Sequence, residues 1–257
     1  MRRRRPGQSD GDEEVFDLDS GPPATTPPAA AALHPPAPAR AHRTIAPEAV
    51  VAESISYARG GRAILDQVSV TARPGEALAV TGPSGSGKSS LLALLAGLER
   101  PDSGTVRRGS GPAPIGRDGL ILQGYGLVGT LTAAENVETP LQADAAGRLP
   151  RREIRERAAA VLDAFGLTPA ADHLIEELSG GQQQRVAVAR ALAVDPAVVF
   201  ADELTAELDR EWKDRVVDTV LDIARRGGIV VLATHDPDIA QRCDRIVQLL
   251  DGRVVGG

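Results

Sequence analysis

Ala77-Leu-Ala-Val-Thr81 runs directly into Gly82-Pro83-Ser84-Gly85-Ser86-Gly87-Lys88-Ser89-Ser90, and these residues decide the fold. Ala77–Thr81 reads as a short apolar strand, and Lys88–Gly97 reads as a helix closed by Gly97. The segment between them fits the pattern GxxxxGK[ST] in its required context, after a strand and at the start of a helix. Such a loop turns backbone N–H groups inward around phosphates, and the helix N-terminus adds a favourable dipole. Lys88 is expected to reach the β- and γ-phosphates, Ser89 to offer its hydroxyl to Mg2+, and Ser90 to extend the cradle. Of the 29 basic residues only Lys88 and Lys213 are lysines. A lysine retained in an arginine-rich chain implies a need for a compact ammonium that a guanidinium fork cannot replace.

Outward from the loop, Val50–Tyr57 and Ala63–Ala72 alternate like strands of a half-exposed sheet. Arg151–Phe165 and Gln182–Val194 read as helices. Ala197–Ala201 and Ile229–Ala233 are continuously apolar, as buried parallel strands are. Strands alternating with helices imply an α/β fold with a parallel central sheet. The second of these apolar strands leads into His235; the first runs into Asp202-Glu203. A carboxylate pair at a strand tip beside a phosphate loop is suited to a nucleotide-bound metal at Asp202. Glu203 is then placed to polarise a water for attack on the γ-phosphate.

At Leu178-Ser179-Gly180-Gly181-Gln182, continuing Gln-Gln-Arg-Val-Ala-Val-Ala-Arg-Ala-Leu192, the chain resembles the ABC ATPase family. The resemblance covers about residues 48–256. It implies a P-loop NTPase core, a shortened N-terminal antiparallel β-subdomain, and an inserted α-helical signature subdomain at about 130–190. It also implies a head-to-tail pair of cassettes, a homodimer or two paired subunits. Each MgATP then sits between one phosphate loop and the other subunit's Ser179–Gln182. By the same resemblance Tyr57 stacks on adenine, Gln123 is the Q-loop glutamine near Mg2+ and the attacking water, Asp209 is the D-loop aspartate, and His235 is the switch histidine. The stretch Leu127–Leu141, with Leu178–Arg185, is similar to the ATPases of lipoprotein-release and macrolide-export systems and of the related cell-division complex, which implies an exporter or a subunit that transmits force through the membrane. The expected partner is therefore an integral membrane permease docked after Gln123. Membrane contact is expected only through that permease, at the cytoplasmic face.

Three departures from the family pattern stand out. Leu204 replaces the usual Pro, which restores a backbone N–H and is expected to loosen the turn. Ala206-Glu207 precedes Leu208-Asp209 in place of Gly-Asn or Gly-Ala. The stretch from Gly104 to Gln123 is short. These changes motivate a second reading, a regulatory subunit that binds ATP and hydrolyses it poorly.

Composition bounds the remaining classes. The chain has 257 residues, 42% hydrophobic and 25% charged, with a net charge of −6. That acidity argues against a nucleic-acid partner. The single Cys243 excludes an internal disulfide and fits a reducing compartment. No apolar run is long enough to span a bilayer. Arg2–Arg5 are followed by acidic residues rather than an apolar segment, so no secretory signal is expected. Residues 1–46, with their Pro/Ala run, are expected to be disordered.

Overall fold

The computed structural model describes residues 47–108, 118–143 and 149–256. The tail of residues 1–46, expected to be disordered, lies outside them, as does most of the short stretch before Asp118. Two sheets organise the fold. The first contains β1 (Val50–Arg59), β2 (Arg62–Ala72) and β4 (Ser103–Arg108), antiparallel in the order β2-β1-β4. The second contains β3 (Glu76–Thr81), β5 (Gly119–Ile121), β6 (Val198–Asp202), β7 (Ile229–Ala233), β8 (Arg245–Leu250) and β9 (Arg253–Gly256). Its order is β5-β6-β7-β3-β8-β9, parallel except for the last pair.

The helices are α1 (Lys88–Leu95), α2 (Ala133–Ala143), α3 (Arg151–Ala164), α4 (Gly180–Leu192), α5 (Arg210–Arg225) and α6 (Pro237–Ala240). Alternate residues of the parallel strands feed two cores, one on each face of the sheet. Val199 and Ala201 of β6, with Val230 and Leu232 of β7, join α2, α3, α4 and α5 in one cluster. Val198, Phe200, Ile229 and Val231 join α1 and the antiparallel sheet in the other. Burial on both faces explains why β6 and β7 carry no polar alternation before Asp202.

The expected strands and helices are found within a residue or two, but α4 begins at Gly180 rather than Gln182. Three helices, α2, α5 and the short α6, had not been individually expected. α5 buries one apolar stripe that includes Trp212, Val216, Val220 and Ile223, a readable helical spacing. α2 contains Pro140, which reads as a breaker. Its start is anchored by the buried Asn136 side chain, bonded to the backbone of Val128 and Thr132 at 2.8–3.1 Å.

Candidate nucleotide site

The phosphate loop, Gln123, Asp202, Glu203 and His235 lie at the C-terminal edge of the parallel sheet, where the strand order brings β5, β6, β7 and β3 side by side. The phosphate loop leaves β3 and closes on α1. Its two ends are held by close packing. A Cβ at Gly82 would lie 2.1 Å from the Leu249 carbonyl, and one at Gly87 would lie 2.7 Å from Leu65 Cδ2. Gly85, at the tip, has φ +79° and open space on its Cβ side. Lys88 is buried, its Nζ donating to the carbonyls of Gly82 and Pro83 at 2.9 and 3.0 Å. The buried Ser86 Oγ has no hydrogen-bond partner. A glycine tip open on one side, a folded-back ammonium and an unpaired hydroxyl are the features expected of a loop built to close around phosphate oxygens.

Asp202 ends β6 beside this loop. Burial pushes its carboxyl above the ordinary range, the Glu203 charge pushes the same way, and the Ser89 hydrogen bond and the Lys88 charge oppose. Paired oxygens of Ser89 and Asp202 are hard donors that fit Mg2+, which keeps most of its shell from phosphate and water. The next residue, Glu203, has φ +52°. Its N–H donates to the Ala233 carbonyl at 3.0 Å. That turn brings its carboxylate to 2.9 Å from Nδ1 of His235, which follows β7.

Leu204, expected to loosen this turn, is packed into the core. Its side chain is 1% exposed within the helical core, and its carbonyl accepts from Gln184 Nε2 at 2.8 Å. The larger side chain finds a core position, so the turn is anchored by packing where a ring would have anchored it by restricting φ.

Ser179 caps α4 reciprocally: its Oγ accepts from the Gln182 N–H at 3.4 Å, and Gln182 Oε1 accepts from the Ser179 N–H at 2.9 Å. Gly180 and Gly181 lie directly against Glu207. A Cβ at Gly181 would come 2.9 Å from the Glu207 carbonyl, and one at Gly180 would come 3.1 Å from its carboxylate. Asp209 caps α5 through Trp212 N–H at 2.9 Å. Gln123 is exposed on the turn after β5, next to the end of β6. Tyr57 pairs across strands with Leu65, the residue that packs on Gly87, and its hydroxyl donates to Glu99.

The fold therefore unites Ser89, Asp202, Glu203 and His235 at one edge. Ser179–Gln182 and Asp209 begin separate helices. Several participants had gone unremarked in the sequence. Arg190 of α4 donates to the carbonyls of Tyr125, at 3.0 Å, and Gly126, which supports the turn after Gln123. Asp236 and Lys213 pair beside His235. The Asp236-Pro237 step was a readable helix start.

A phosphate loop at the edge of a parallel sheet, with a carboxylate pair on the neighbouring strand, defines a P-loop nucleotide-binding protein. The ABC transporter family model matches residues 65–206, and the chain belongs to that family: it is an ATP-binding cassette, an ATPase using ATP with Mg2+. Among its relatives is the lipoprotein-releasing system ATP-binding protein LolD of Granulibacter bethesdensis, 44% identical over 75% of this chain and 88% of LolD. The macrolide export ATP-binding/permease protein MacB of Rhodospirillum rubrum is 44% identical, and the match covers 74% of this chain but 31% of MacB. The methionine import ATP-binding protein MetN of Caulobacter vibrioides is 41% identical, with 79% and 64% covered. The dimeric bacterial ABC transporter cassette MJ0796 superposes with a TM-score of 0.74 at 34% identity, covering 80% of this chain and 97% of that one. A second structure of MJ0796, holding ADP and phosphate after hydrolysis, matches equally well at 35% identity.

Proposed function

We propose that residues 47–257 form one nucleotide-binding domain, with its helical part at about 130–190, that hydrolyses MgATP between two head-to-tail copies and drives a separate integral membrane permease at the cytoplasmic face. The observation that carries this reading is the convergence of Lys88, Ser89, Asp202, Glu203 and His235 at the sheet edge, with the capped Ser179–Gln182 turn beginning a separate helix. In this reading the loop Gly82–Ser90 and Tyr57 bind the nucleotide, and Ser89, Asp202 and Gln123 surround the metal site. Bound Mg2+ supplies charge neutralisation to the phosphates. Glu203 orients a water and accepts its proton, while His235 holds the Glu203 carboxylate and faces the γ-phosphate. The partner's signature turn closes the site, as small residues at a helix N-terminus are able to do.

Dimeric MJ0796 supports the pairing, and the LolD and MacB relatives favour a permease of the releasing or exporting type. MetN, named for import, is nearly as similar, so the Leu127–Leu141 resemblance adds the support that the relatives leave divided. Among the described residues no helix is long and apolar enough to cross a membrane. The anchored Leu204 favours an active enzyme over a regulatory subunit.

The test is ATP turnover by the full chain with Mg2+ across protein concentrations, beside Lys88→Ala. Turnover that vanishes in Lys88→Ala and rises faster than linearly with concentration supports the paired site. Strictly linear turnover by a chain shown to be monomeric at those concentrations excludes it, and tight ATP binding without turnover favours the regulatory reading.

A further inference from the structure

Lys213 is the second lysine of an otherwise arginine-rich chain, and it lies outside the phosphate loop. It sits on the first turn of α5, its N–H donating to the carbonyl of the capping Asp209 at 2.8 Å. Its ammonium donates to Oδ2 of Asp236. The other carboxylate oxygen, Oδ1, is already committed to the N–H groups of Asp238, at 2.9 Å, and Ile239, at 3.4 Å, which begin α6. A guanidinium fork is satisfied best by both oxygens of a carboxylate. Only one is free here, and a point-like ammonium suits it.

Asp236 adjoins His235. The Asp236 N–H donates to Thr234 Oγ1 at 3.0 Å, and the Thr234 N–H donates to the Val80 carbonyl at 3.1 Å, at the end of β3. The His235 ring is 75% exposed and meets Glu203 at 2.9 Å. Little packing therefore orients the ring, and its aim depends on the backbone of 234–236. That backbone is held by β3 on one side and, through Asp236, by Lys213 on the other.

We infer that Lys213 is a positioning residue for ATP hydrolysis: through Asp236 it sets the backbone from which His235 reaches Glu203, and it ties that backbone to the helix that begins at Asp209. The inference rests on the proposed roles of Glu203 and His235. It adds a mechanical link between the D-loop helix and the switch histidine, made by a pair whose exposure (28% and 24%) gives it little weight in global stability.

The experiment measures kcat, KM, ATP affinity and melting temperature for the full chain and for Lys213→Met, Lys213→Arg, Glu203→Gln and His235→Ala. Lys213→Met is expected to lower kcat about tenfold while KM, ATP affinity and melting temperature stay near wild type, because a displaced catalytic group costs rate before binding. Lys213→Arg is expected to restore part of that loss. Turnover of Lys213→Met within about twofold of wild type overturns the inference, and so does a loss of melting temperature and ATP affinity in parallel with kcat. If Glu203→Gln keeps wild-type turnover, the reading of the site itself fails. If Glu203→Gln is inactive while Lys213→Met is fully active, only the inference fails.

Discussion

The Nδ1 atom of His235 lies 2.9 Å from the carboxylate of Glu203, across the ends of two adjacent parallel strands. Residues that act as one unit lose activity non-additively. Glu203→Gln and His235→Ala are each expected to lower ATP turnover about 100-fold or more, the range for a lost proton acceptor. The double variant is expected to be little worse than either. Steady-state phosphate release from the three variants checks this, and multiplied losses would show that the two groups act separately.

The signature glycines face different neighbours. A Cβ at Gly181 meets a backbone carbonyl of Glu207, whereas one at Gly180 meets the end of its flexible side chain. Gly181→Ala is therefore expected to cost stability by about 1–3 kcal/mol, the scale of overpacking against fixed atoms. Gly180→Ala is expected to cost less, because the Glu207 carboxylate can swing away. Glu207→Ala should relieve Gly180→Ala and leave Gly181→Ala unimproved. Denaturant unfolding of the set reads all four values.

Burial raises the Asp202 carboxyl above its ordinary range. A raised carboxyl adds stability below its unfolded value and loses that contribution as pH rises through the folded value. Ionisation of Asp202 is therefore a net cost to the metal-free protein. Asp202→Asn is expected to melt higher than wild type at neutral pH without metal, and the gap should close as pH falls towards about 4. The same variant should lose Mg2+-dependent ATP turnover. A wild-type melting temperature at neutral pH would refute the burial argument.

Arg108 is buried between α1 and β6. It donates to Asp118 and to the Leu95 carbonyl, at 2.8 Å for the latter, and stacks 4.8 Å from the centroid of the Phe200 ring. Burial raises the Asp118 carboxyl, and the hydrogen bond and charge of Arg108 oppose that shift. Arg108→Met is expected to destabilise the fold by about 3–5 kcal/mol by stranding that carboxylate. Arg108→Met with Asp118→Leu should recover most of the loss, since an apolar pair of similar volume is tolerated there. Equilibrium unfolding of both variants decides it.

The strongly periodic or motif-bearing pieces were legible before any coordinates. β3, β6 and β7 announced themselves as apolar runs because both faces are buried, and the phosphate loop because its glycines and lysine obey a fixed spacing. α2 was hidden by Pro140, which reads as a helix breaker. β8 and β9 were missed because the residue types of Arg245–Leu250 and Arg253–Gly256 do not alternate clearly between apolar and polar. That Leu204 is buried in the helical core, with its carbonyl bound by Gln184, depends likewise on how α4 packs, which no local pattern shows.

The sequence by itself determined the α/β class, the phosphate loop, the carboxylate pair and the signature turn, because each is a local pattern of residue type and spacing. Only the tertiary structure decided that Glu203 meets His235, that Glu207 lies against the signature glycines, and that Lys213 holds Asp236. Those contacts join residues about 20 to 30 positions apart, and the order of the strands and the packing of the helices, rather than the chain's local preferences, bring them within reach.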